Sequence, residues 1–146
     1  MSNPVIKVKV KTSTLLSEQP RGGKLSNRSI VIMDDNQPDS KYDDSDGGKY
    51  KDKLHTYINR GDDIYWEISD ADGSAVLEMT ECQYDANFMK LLIAAPQPVA
   101  GNKSQWMAQV KTDATGGLSS KYTYSFCLKS NPRVIWTWDP YIESRP

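Results

Sequence analysis

The chain has 146 residues, 38% of them hydrophobic and 25% charged, with a formal net charge of −1. That length suits one domain able to bury a core without disulfide or metal staples. The near-neutral balance gives no overall field that would favour nucleic acid or an anionic membrane.

Residues 5–11 alternate, with Ile6, Val8 and Val10 on one side and Lys7, Lys9 and Lys11 on the other. Period two marks a half-buried strand, and the lysines suit an edge or a solvated face. Residues 12–28 hold Pro20, Gly22 and Gly23 and are expected to form a long loop, packed down by Leu15 and Leu16. The apolar run from Ser29 to Met33 reads as a short buried strand. Residues 34–53 are the least core-like part, with seven Asp and four Lys. They are expected to form an acidic, flexible loop, because they offer too little apolar surface to order themselves.

Leu54 to Ile58 is a strand, turned at Asn59-Arg60-Gly61-Asp62 into a second strand that buries Ile64, Trp66 and Ile68. Asp70-Ala71-Asp72-Gly73 has the composition of a hairpin turn, so Ala75 to Met79 is expected to return antiparallel to that strand. Phe88 to Ile93 is an apolar run read as a strand, with helix as the alternative because Ala86 to Ala95 holds no breaker. Gln105 to Val110 turns Trp106, Ala108 and Val110 inward. A turn at Gly116-Gly117 leads to a strand with Tyr122, Tyr124, Phe126 and Leu128 on one face. Asn131-Pro132 is expected to turn the chain into a closing strand, Val134 to Ile142, that carries Trp136 and Trp138 and pairs with the tyrosine-rich strand. A tail this apolar has to dock into a core.

These eight or nine short strands, with turns between them and no strong helix, indicate an all-β fold. An immunoglobulin-like antiparallel β-sandwich spanning 1–146 as a single domain is the expected architecture. The Met1-Ser2-Asn3-Pro4 start shows no signal-peptide pattern and no run approaches a membrane span, so a cytoplasmic location is expected, with no membrane partner. Cys82 and Cys127 are then two reduced thiols by default, although one bridge between neighbouring strands is compatible with the count.

Charge is distributed unevenly. Residues 1–33 carry six Lys/Arg against one Glu, 34–53 carry four against seven Asp, 54–100 two against eight acidic, and 101–146 six against three. The opposite-sign segments either lie beside each other in the fold or meet head to tail between copies.

No residue pattern points to catalysis. His55 is the single histidine, with no second His or nearby Cys to make a triad or metal set. Gly61-Asp62-x-Ile64-x-Trp66 is similar to a turn found in cupredoxins, but copper needs two His and a Cys, so the motif is structural: Gly turns, Asp caps, Ile and Trp enter the core. Arg60-Gly61-Asp62 spells an integrin tripeptide by chance. Asp44-Ser45-Asp46-Gly47 offers oxygen ligands for Ca²⁺, but no Glu closes a calcium loop, and a solvated loop is the plainer reading. No catalytic, cofactor-binding or metal residue is assigned. Exposed Trp and Tyr could form a sugar-stacking face, which leaves a glycan or small molecule as the alternative ligand.

The order of these features resembles the AidA/PixA inclusion-body proteins of proteobacteria. The resemblance rests on the Val/Ile-rich first strand, Gly61-Asp62-x-Ile64-x-Trp66, Tyr122-x-Tyr124-x-Phe126, and above all Trp138-Asp139-Pro140-Tyr141-Ile142. It implies a small, non-enzymatic, self-associating cytoplasmic protein, linked in that family to quorum sensing or host interaction. It carries over no catalytic residue and no cofactor, and it implies a homo-oligomer. PixA-type members are methionine-rich, whereas this chain has five Met.

Overall fold

The computed structural model describes residues 3–42 and 50–146. It is mostly β, with twelve strands and two short helices among the described residues, in place of the eight or nine strands expected. Strand β1 (Val5–Val10) realises the alternation at the start of the chain: Ile6, Val8 and Val10 are fully buried while Lys7 and Lys9 face solvent. It is no edge strand. It pairs antiparallel with β3 (Val31–Asp34) on one side and parallel with β6 (Asp63–Asp70) on the other. Beyond β6 come β9 (Asn102–Gln109) and β8 (Gln97–Val99), which complete a five-stranded sheet.

The second sheet is organised on β10 (Ser119–Leu128). One side of β10 is lined by β11 (Asn131–Trp138) and then β12 (Tyr141–Ser144). The expected closing strand is therefore two strands, split at Asp139-Pro140, because proline cannot donate to a ladder. The pairing with β10 continues across the break, where Tyr122 N–H donates to the Pro140 carbonyl at 3.0 Å. The hairpin turn lies at Lys129-Ser130, two residues before the expected Asn131-Pro132. Past β11 lies β2 (Gly23–Lys24), and past β12 lie β5 (Leu54–Ile58) and β4 (Lys41–Tyr42). The β2–β11 and β5–β12 pairings are both parallel.

The other side of β10 takes β7 (Leu77–Tyr84). This corrects the expected hairpin, since the segment after Gly73 does not pair with β6. The Asp70 carboxylate accepts from Thr12 Oγ1 and from the backbone N–H groups of Asp72 and Ala75, so the turn is tied to other elements and hands the chain to the second sheet. Two further segments also differ. Helix α1 (Thr12–Glu18) stands in the expected loop, held by fully buried Leu15. Helix α2 (Ala86–Leu91) replaces the expected strand at Phe88. Asp85 caps it by accepting from the Phe88 N–H at 2.9 Å, and Phe88 and Leu91 are its buried face.

Both sheets feed one hydrophobic cluster. Buried indoles need a partner for their N–H. Trp66 donates to Tyr122 Oη at 3.1 Å, and Trp138 donates to Met33 Sδ at 3.4 Å; each bond joins one sheet to the other. Trp136 donates to the Gln19 carbonyl at 2.7 Å and so pins the end of α1. In the turn before β6, Gly61 adopts φ +79° and the buried Asp62 accepts from the Asn59 N–H, as the turn composition predicts. Parts of the acidic 34–53 stretch are built into the fold. Asp52 is buried against Arg28 at 3.0 Å, and Asp35 accepts from the Gln37 N–H and Ser40 Oγ.

Candidate functional site

The outer face of the C-terminal strands gathers the polar side chains with the closest mutual geometry. From Asp139 to Arg145 the chain alternates strictly: Pro140, Ile142 and Ser144 are buried, while Asp139, Tyr141, Glu143 and Arg145 point outward. Each outward side chain has partners on neighbouring strands. Asp139 accepts from Thr123 Oγ1 at 2.8 Å and lies 3.5 and 3.6 Å from the Lys24 and Lys121 ammonium groups. Tyr141 stacks flat on His55, with ring centroids 4.1 Å apart. Glu143 Oε1 accepts from His55 Nδ1 at 2.6 Å and from Ser119 Oγ at 3.2 Å. Arg145 donates to Gln37 and Asp39 and covers the Tyr57 ring at 5.5 Å.

Burial raises the pKa of Glu143, but the hydrogen bonds from His55, Ser119 and Tyr57 outweigh it and hold the carboxyl below the usual range. Asp139 behaves alike: burial raises it, and Thr123, Lys121 and Lys24 bring it down. Both groups are carboxylates at neutral pH, each already engaged by its neighbours.

This geometry does not assemble a nucleophile. A serine is activated when its proton can pass to a base. Here Ser119 and His55 both donate to the same Glu143 oxygen, so the hydroxyl is not on the imidazole. Sequence reasoning placed His55 on a strand but missed Glu143, which is 88 positions away. Only the parallel register of β5 on β12, which sets His55 beside Tyr141, brings the two together.

The other candidates resolve one by one. Cys82 and Cys127 are separate free thiols, both buried, and burial pushes both pKa values up, away from reactivity. Arg60-Gly61-Asp62 is locked into the fold, with Arg60 donating to the Ala114 carbonyl and Asp62 buried. Asp44-Ser45-Asp46-Gly47 lies outside the described residues. Among the described residues no three His, Cys, Asp or Glu side chains converge on a common point for a metal ion. Trp66, Trp136 and Trp138 are committed to the core. Trp106 is half-buried and donates to the Lys103 carbonyl. No helix among the described residues is long and apolar enough to cross a membrane.

Residues 5–133 match the family described as a domain of unknown function (DUF8788). The chain belongs to the DUF8788 family. This DUF8788 chain shares its fold with the crystal structure of an inclusion body protein (PixA) from Burkholderia cenocepacia J2315. The two align with a TM-score of 0.67 over 99% of this chain and 97% of that one, at 14% sequence identity. The resemblance carried by the sequence motifs is borne out at the level of the fold. A nucleoside hydrolase-related hypothetical protein from Saccharophagus degradans, associated with carbohydrate metabolism, aligns with a TM-score of 0.43 and 12% identity over 67% of this chain and 24% of that one. That overlap is too loose to bear on function. No curated protein matches the sequence.

Proposed function

We propose that this DUF8788 member is a non-enzymatic, self-associating cytoplasmic protein of the inclusion-body type, built as a single domain. The observation that carries this reading is the end-to-end structural match to the PixA inclusion body protein, which leaves no large part of either chain unaccounted for. The inert arrangement of His55, Glu143 and Ser119 supports a role in binding or assembly over one in chemistry. The two sheets over one core are compatible with an elaborated immunoglobulin-like sandwich, in which β2, β4 and β8 are short additions at the sheet margins. Light scattering on purified protein over a wide concentration range tests the reading. Mass rising with concentration supports it, and a strict monomer at the highest concentration overturns it.

A further inference from the structure

The self-association proposed above needs a contact, and two features on different sheets fit each other. The first is a pair of acidic side chains on β7. This strand pairs with β10 and lies off the main strand path of its sheet. The β7–β10 register skips Thr80: Glu81 sits opposite Ser125, and Met79 opposite Phe126. The bulge makes Glu78 and Glu81 successive outward positions, opposite Cys127 and Ser125. Their spacing is then that of residues two apart on a regular strand, about 6.5–7 Å. The second feature is the pair Lys7 and Lys9 on β1, also successive outward positions and so at the same spacing. They line a shallow groove with Glu67, Ser69, Asn102 and Gln105. In the register Lys7 stands between Asp34 and Glu67, and Lys9 between Ile32 and Ser69. Among the described residues, none of Glu78, Glu81, Lys7 and Lys9 forms an ion pair.

We infer that the outer face of β7 in one copy docks into the β1 groove of the next, with Glu78 and Glu81 meeting Lys7 and Lys9. Like surfaces cannot serve, because β7 against β7 sets Glu against Glu, and β1 against β1 sets Lys against Lys. The contact is therefore heterologous, and a docked pair still presents one free surface of each kind. Such a contact either closes a ring or propagates. It also places the acidic middle of the sequence against its basic start, the head-to-tail meeting that the uneven charge allows. The inference rests on the self-association reading and names the surfaces that would carry it.

The test uses two doubly charge-reversed chains, Glu78→Lys with Glu81→Lys, and Lys7→Glu with Lys9→Glu, compared with wild type by sedimentation velocity at low salt. Lys7, Lys9 and Glu81 are exposed and Glu78 is half-buried, and unchanged melting temperatures establish that each variant is folded. Each variant alone should lose assembly, with apparent affinity falling about ten-fold or more. An equimolar mixture should regain it, because Lys7 and Lys9 of the first chain meet Glu78 and Glu81 of the second. Added salt should weaken the wild-type assembly. If wild type assembles and the folded variants assemble equally well, this contact is wrong while self-association stands. If both variants fail and the mixture is not rescued, the pairing is wrong. If wild type stays monomeric under all conditions, the broader reading falls with it.

Discussion

Trp138 shows how much of the fold can rest on one side chain. Its ring is 3% exposed, lies 4.5 Å from the Tyr124 ring and 5.6 Å from that of Phe126, and gives its N–H to Met33 across the two sheets. Replacing it with alanine removes the ring and leaves a cavity that the two sheets cannot close. Trp138→Ala should cost ~3–5 kcal/mol, measured by urea denaturation. Glu143 makes a different contribution, one that depends on pH. Its folded pKa lies below the ordinary glutamate value, so its stabilisation is fully present above that ordinary value and is lost as pH falls through the folded one. Glu143→Gln should therefore be less stable than wild type near neutral pH, and the gap should close at an acidic pH below the folded pKa. Denaturation curves for both proteins at the two pH values check this. Asp139 and Asp70 are shifted in the same direction, so the Glu143→Gln variant should retain an acid-labile component.

Individual elements depend on single contacts as well. Asp85 caps α2, a helix of six residues that is too short to persist without its cap and its buried face. Asp85→Ala should cost about 1 kcal/mol, and the first amide protons to exchange faster should be those of α2. Gly22 controls the entry to β2. It holds φ +83°, and a Cβ there would sit 2.5 Å from the Ile135 carbonyl oxygen. Gly22→Ala should cost about 2 kcal/mol or more, with the loss visible in the same urea titration. The sequence exposes these elements unequally. Alternation in 5–11, 64–68 and 122–128 gives the strands and their buried faces directly, because period two is a local property. It does not say which strand lies alongside. Asp70-Ala71-Asp72-Gly73 has a hairpin's composition, yet its carboxylate bonds to Thr12, 58 positions away, and the chain crosses to the other sheet. Helix α1 has two threonines, no side-chain cap and a single fully buried leucine, so local propensity could not have revealed it. The His55–Glu143 contact was hidden for the same reason as the parallel pairings, since only long-range register creates it.

At the scale of the molecule, the parallel pairings decide how the chain comes together. β1 joins β6, β2 joins β11, and β5 joins β12, each across a long stretch of sequence. Contacts between distant segments must repay loop-closure entropy before they stabilise anything. Refolding from urea should therefore be slow for a chain of this size, in the millisecond-to-second range or beyond, and stopped-flow tryptophan fluorescence would time it. The same topology bears on synthesis in the cell. Strands β2 and β5 leave the ribosome early, and their partners β11 and β12 are among the last segments to emerge. At about 5–20 residues per second the early strands wait several seconds with open backbone edges. A nascent chain in that condition is a client for chaperones and a template for mispairing with its neighbours on the same polysome. Crowded synthesis would then favour misassembly before any native surface exists, so the rate of translation, as much as the finished fold, would decide how much protein reaches the native state.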